Sequence, residues 1–114
     1  MTPIQTNREK KDPITIFKKI LCRYLRDRGH IIFSMVDTTG QDKLKIALLG
    51  LWRRHKSEET GYEKFNHILE DILLDSKLLE KLRELGIIEV HIDVEEPHLV
   101  VETNKLREIC KNQE

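Results

Sequence analysis

Five side chains with acid–base or metal-ligating chemistry fall close together near the end of the chain: Glu89, His91 and Asp93, then His98 and Glu102. The first three alternate with Ile88, Val90, Ile92 and Val94, so an extended strand puts them on one wet face and the apolar residues on the other. A turn at Glu95-Glu96-Pro97 sends residues 99–103 back alongside. Pairing Ile92 with Leu99 and Val90 with Val101 keeps all the apolar residues on one side, and a one-residue slip would split them. In that register Asp93 faces His98, and Glu89 faces Glu102. Opposed carboxylates repel unless a positive charge lies between them. A divalent ion meets that need, and so does solvent or a nearby lysine. His91 and His98 stand too far apart in this pairing to be easy joint ligands. The expectation is a solvated face, with no metal and no cofactor.

The other reactive residue types are scattered. His55 falls on the apolar stripe of a predicted helix and reads as a hydrogen-bonded, partly buried histidine; His30 and His67 are isolated. Cys22 and Cys110 form no CxxC pair and read as free thiols on helices. The alternative, a disulfide tying the last helix to the first, depends on their Cα separation. Residues 36–41, Val-Asp-Thr-Thr-Gly-Gln, resemble the DxxGQ segment of small GTPases. The chain has no GxxxxGK[ST] loop, however, and Asn104-Lys105 lacks the aspartate of a guanine-reading NKxD, so Gly40 reads as a turn residue. No serine or cysteine sits in a nucleophile motif. The chain is expected not to be an enzyme.

The elements that must position these groups follow from periodicity. Asp12-Pro13 starts a helix, whose inward face is Ile14, Phe17, Ile20, Leu21, Tyr24 and Leu25. Gly29 is its expected stop, and the β-branched run at residues 30–36 predicts a strand. A turn at residues 37–40 leads to a second helix from Thr39 to about Lys56, apolar over more than half its circumference and expected at the centre of the core. Thr60 and Glu63 form a capping box for a third helix through Leu73. Asp75-Ser76 caps a short fourth helix ended by Gly86, and Asn104 caps a last one after the hairpin. The fold class is α+β: about five helices with a small antiparallel sheet of the C-terminal hairpin and the strand at residues 30–36. Residues 1–12 are expected to be a flexible basic arm and residues 13–114 one domain.

Charge is the least ordinary feature. The 114 residues carry 20 Lys and Arg against 20 Asp and Glu. Residues 1–57 hold 13 basic and 5 acidic side chains, and residues 58–114 hold 7 and 15, so the halves stand at +8 and −8. Either the halves neutralise each other on folding, or the basic half meets an anionic partner, or copies associate head to tail. Lys19, Arg23 and Arg26 form one stripe on the first helix, with Arg8, Lys10 and Lys11 on the arm before it. Arg53, Arg54 and Lys56 suit the negative pole of the second helix. Aromatic residues make up only 5%, which argues against base stacking on single strands.

The order helix, strand, helices, short helix, amphipathic hairpin resembles the winged helix–turn–helix family. The stretch Leu78-Leu79-Glu80-Lys81-Leu82-Arg83-Glu84-Leu85-Gly86-Ile87-Ile88-Glu89 is similar to that family's recognition helix running into its wing, within a likeness covering residues 62–103. The resemblance implies that residues 76–85, with Lys77 and Lys81, enter a nucleic-acid groove and that residues 94–98 are the wing tip. Glu80, Glu84, Glu95 and Glu96 depart from what a phosphate backbone favours. The expected function is a small non-enzymatic regulator of transcription that binds DNA or RNA through its basic N-terminal half. The alternative is a protein–protein adaptor, meeting a protein partner or a second copy as a homodimer, without nucleic acid. No run approaches the ~18 apolar residues of a membrane span, and Met1 to Pro13 has no apolar secretory core, so the cytoplasm is expected. The Lys- and Glu-rich composition, 35% charged, is thermophile-like.

Overall fold

Asp12 opens the first element. Its carboxylate accepts hydrogen bonds from the Thr15 amide at 3.3 Å and the Thr15 hydroxyl at 2.9 Å, and Pro13 follows at the first helical position. In the computed structural model, which describes residues 12–111, α1 (Pro13–Thr39) then continues for 27 residues. It passes through Gly29, so neither the stop expected there nor the strand at residues 30–36 forms. A glycine inside a helix costs only about 1 kcal/mol relative to alanine. Ile32, Phe33 and Val36 extend the inward face at helical spacing, and that packing outweighs the β propensity of the run. The stop is Gly40, at φ 72°, whose amide returns to the Val36 carbonyl at 2.7 Å.

The second predicted helix is also corrected. Residues 43–47 form a strand, β1 (Lys43–Ala47), and only α2 (Leu48–Trp52) is helical. The alternation of Lys43 and Lys45 with Leu44 and Ile46 has the strand period, and β3 (His98–Glu102) supplies its partners, Leu44 opposite Val101 and Ile46 opposite Leu99. Next comes α3 (Ser57–Thr60), ended by Gly61. Thr60 therefore starts no capping box; its hydroxyl accepts from the Tyr62 amide at 3.1 Å. The amphipathic α4 (Phe65–Leu73) and α5 (Ser76–Glu84) follow, with Asp75 capping the latter through the Lys77 and Leu78 amides as its sequence predicts. The hairpin is β2 (Ile87–His91) and β3, and α6 (Thr103–Ile109) leaves β3 directly. Asn104 does not cap it; the Thr103 hydroxyl instead donates to the Gln41 and Asp42 carbonyls.

The sheet is antiparallel in the order β1-β3-β2, and the fold is α+β. Val90 pairs with Leu99 and His91 with His98, two residues away from the expected register, with an irregularity between Ile87 and Glu89. Burial excludes a slip of one residue; it does not exclude a slip of two, which leaves each side chain on its face. One core joins Phe17, Ile20 and Leu21 of α1 to Ile68, Leu69 and Ile72 of α4, Leu48 and Leu51 of α2, and Ile46, Leu99 and Val101 of the sheet. Cys22 and Cys110 are not free thiols: they form a disulfide, their Cα atoms 5.6 Å apart, that fastens the end of α6 to α1. Among the described residues no helix is long and apolar enough to cross a membrane.

Candidate functional site

On the outer face of the sheet, β1 adds what the hairpin alone lacks. Lys43 stands opposite Glu102 and Lys45 opposite Val100, while Glu89 pairs with Val100 rather than Glu102. The carboxylate repulsion expected there is absent, and a lysine supplies the positive charge. Asp93 lies beyond the ladder and does not face His98. Its place is taken by His91, whose ring stacks on that of His98 at 4.7 Å, so the two histidines are adjacent where the expected register kept them apart. His91 Nε2 lies 2.7 Å from Glu89 Oε1, and His98 Nδ1 donates to the Glu96 carbonyl at 2.7 Å. The hydrogen bond from His91, helped by the charges of His91, Lys43 and His98, holds the Glu89 carboxyl below its ordinary range. Among the described residues no three His, Cys, Asp or Glu side chains gather as a metal site.

Of the nine cations expected to bind nucleic acid, seven lie among the described residues. Lys10 and Lys11 lie outside the described residues. Lys19 and Arg26 are exposed on α1, and Arg26 borders a shallow hollow with Arg107 and Lys111 beside the disulfide. Arg23 between them is committed within the fold, donating to Glu59 at 2.7 Å and to the Arg54 carbonyl at 3.4 Å. Arg54 is likewise engaged with Asp27 at 3.0 Å, the Gly50 carbonyl at 2.7 Å and the face of Tyr24. Arg53 is exposed at the end of α2. Lys77 and Lys81 are exposed on α5, one turn apart on one face.

His55 falls beyond α2 and is half-buried, as its apolar setting suggests. Its Nε2 lies 2.8 Å from the Thr60 hydroxyl oxygen and its ring edge meets Phe65. Burial lowers its pKa, against the raising effect of Glu58 and Glu59. Tyr62 donates to Asp71 at 2.7 Å, and burial, then that hydrogen bond, pushes its phenol pKa well up.

Two surface grooves had no signal in the one-dimensional pattern, because the first is walled by a strand whose residues read as helix and the second joins α4 to β2 across α5. The first, of about 490 Å³, lies between the C-terminal half of α1 and β1, with Ile32, Met35, Val36 and Leu44 as its walls and Lys43 and Lys45 at its rim. The second, of about 540 Å³, lies between the end of α4 and β2, with Leu73, Leu74, Ile92 and Val94 as walls and Glu70 and Asp93 at its rim. No protein-family model, no curated protein and no solved structure matches the chain.

Proposed function

We propose that the chain is a small, non-enzymatic, winged-helix-type regulator that binds DNA or RNA with α5 as the element presented to the groove. The observation that carries this reading is the joint between α4 and α5. Only Leu74 and Asp75 separate the two helices, Asp75 caps the second, and Gly86 passes it straight into the hairpin. The order helix, strand, helices, hairpin also holds, although its first strand is β1 rather than residues 30–36.

Lys77 and Lys81 are the phosphate contacts of that surface, and Glu80 and Glu84 beside them are hydrogen-bond acceptors of the kind that read cytosine amino groups. Such a helix favours selected sequences over general affinity. Of the N-terminal cations expected to bind nucleic acid, Lys19, Arg26 and Arg53 are exposed among the described residues. A cytoplasmic location accords with this role. A disulfide there is a trait of intracellular proteins from hyperthermophiles, which matches the Lys- and Glu-rich composition.

The test is fluorescence anisotropy on random duplex DNA and RNA, and on a pool selected for binding, across about 50 to 300 mM salt. The expected result is salt-sensitive binding whose slope falls by about two when Lys77→Glu and Lys81→Glu are combined. Retention of neither pool at the lowest salt would overturn the reading. A protein-interaction module is the second reading, and the acidic turn of Asp93, Glu95 and Glu96 favours it, since a wing that meets phosphate needs the opposite charge.

A further inference from the structure

The two grooves lie at opposite edges of one sheet. The order β1-β3-β2 puts the first beside one outer strand and the second beside the other. Both expose large apolar side chains: Met35 is 59% exposed at the first, and Leu74 and Val94 are 86% and 45% exposed at the second. Their rims carry opposite charge. Lys43 and Lys45 border the first, which continues past Tyr24 to Arg28 and Arg53; the acid in that extension, Asp27, is held by Arg54. Glu70 and Asp93 border the second, on the same side as the Glu95-Glu96 turn.

We infer that copies of this chain associate head to tail, the acidic α4–β2 edge of one copy, led by Leu74 and Val94, seating in the basic α1–β1 groove of the next. Attraction between the charged rims and desolvation of the apolar walls together hold the contact, and the rims set its direction and exclude the wrong pairing. A two-fold dimer through either groove would oppose like charges, Lys43 and Lys45 against their own copies or Glu70 and Asp93 against theirs. The contact is therefore heterologous, and it grows into a ring or an open chain rather than stopping at two. It uses neither Lys77 nor Lys81 and requires no nucleic acid.

The charge of the two sequence halves, +8 for residues 1–57 and −8 for residues 58–114, bears on the same arrangement. Arg23–Glu59 is the one Lys/Arg–carboxylate ion pair within 4 Å that joins a base of residues 1–57 to an acid of residues 58–114 among the described residues. The exposed Lys43, Lys45, Glu70 and Asp93 take part in none of these ion pairs, which leaves them to a neighbour of the same sequence.

The experiment is sedimentation velocity on the purified chain without nucleic acid, from about 0.05 to about 1 M salt. The wild type is expected to exceed the mass of one chain at low salt and to approach it as salt rises. One variant combines Lys43→Glu with Lys45→Glu, and another combines Leu74→Glu with Val94→Glu; all four positions are exposed, and far-UV circular dichroism checks that each variant folds. Each alone should sediment as a monomer. Mixed one to one, they should form a complex of two chains and no more, because one intact groove of each kind remains. A wild type monomeric throughout, a two-chain species that survives in either variant, or a mixture that stays monomeric would each overturn the inference.

Discussion

Arg23 and Glu59 meet at 2.7 Å, and the same guanidinium reaches the Arg54 carbonyl at 3.4 Å. One side chain thereby ties the middle of α1 to α3 and to the segment before it. A residue that looks by spacing like part of a nucleic-acid-binding stripe is a bolt between elements. The hydrogen bond from Arg23, followed by the charges of Arg23, Lys56 and Lys19, holds the Glu59 carboxyl below its ordinary value of 4.5.

A carboxyl depressed in the folded state contributes stability above its unfolded pKa and loses it as pH falls through the folded value. Arg23→Ala should therefore lower the melting temperature at neutral pH, with a gap to the wild type that narrows as the solution is taken from about pH 5 to about pH 3. Both side chains are partly exposed, so the gap is modest. Thermal melts by circular dichroism across that range measure it, and a gap independent of pH would remove the pair from the account.

His55 titrates with the corresponding sign on the imidazole side. Burial lowers its pKa from 6.5, so the unfolded chain takes up a proton before the native one does. The neutral-imidazole stability is whole above pH 6.5 and is lost as pH falls from there through the folded value. Proton NMR should show the His55 ring titrating below 6.5, and His55→Gln should flatten the stability profile in that window. A His55 midpoint at or above 6.5 would contradict its half-buried setting.

Two glycines predict opposite outcomes. At Gly29 an added Cβ would lie 3.6 Å from Phe33 Cε2 and 3.8 Å from Leu25 Cβ, ordinary contacts inside a helix. Gly29→Ala should stabilise the protein by about 0.5–1 kcal/mol. At Gly50 the same atom would sit 2.6 Å from Tyr24 Cε1, against a ring that also carries Arg54, so Gly50→Ala should destabilise. Urea unfolding gives both values. A loss of stability in Gly29→Ala would mean that α1 does not run straight through that position.

The disulfide makes a chemical prediction and an energetic one. Alkylation of the unreduced, denatured chain should modify neither Cys22 nor Cys110, whereas free thiols would both react. The pair closes a sequence separation of 88, and replacing both residues by serine should cost about 2–4 kcal/mol. A double variant as stable as the wild type in urea would deny the link its structural role.

Local signals in the sequence were sufficient for the start of α1, where Asp12 and Pro13 cap it, for α5 behind Asp75, and for the existence of the hairpin. Elements decided by distant partners were not legible. Residues 30–36 carry the β-branched residues of a strand, yet Ile32 and Val36 find their partners as a continued helix. The strand period at Lys43 to Ile46 was masked by the equally good helical spacing of Leu44, Leu48 and Leu51, and only β3, over fifty residues later, selects between them. The hairpin register differed by two because face preference is blind to even slips. For the candidate site, the exposure of Lys77 and Lys81 was legible from helix phase. The internal partners of Arg23 and Arg54 were not, nor was the contribution of Lys43 to the hairpin face, since both depend on which elements fold beside them.

The Cys22–Cys110 link turns most of the chain into a covalent ring. Every element from β1 to α6 lies inside it, with most of α1, and the first turns of α1 form a tail on one side. A protease that cuts once at the exposed Glu95-Glu96 turn would open this ring without releasing a fragment, and the nicked protein would keep its full mass until a reductant divides it in two. The polypeptide is thus protected against single backbone breaks across nearly its whole described length, and its integrity depends on the redox state of one bond rather than on any one peptide link.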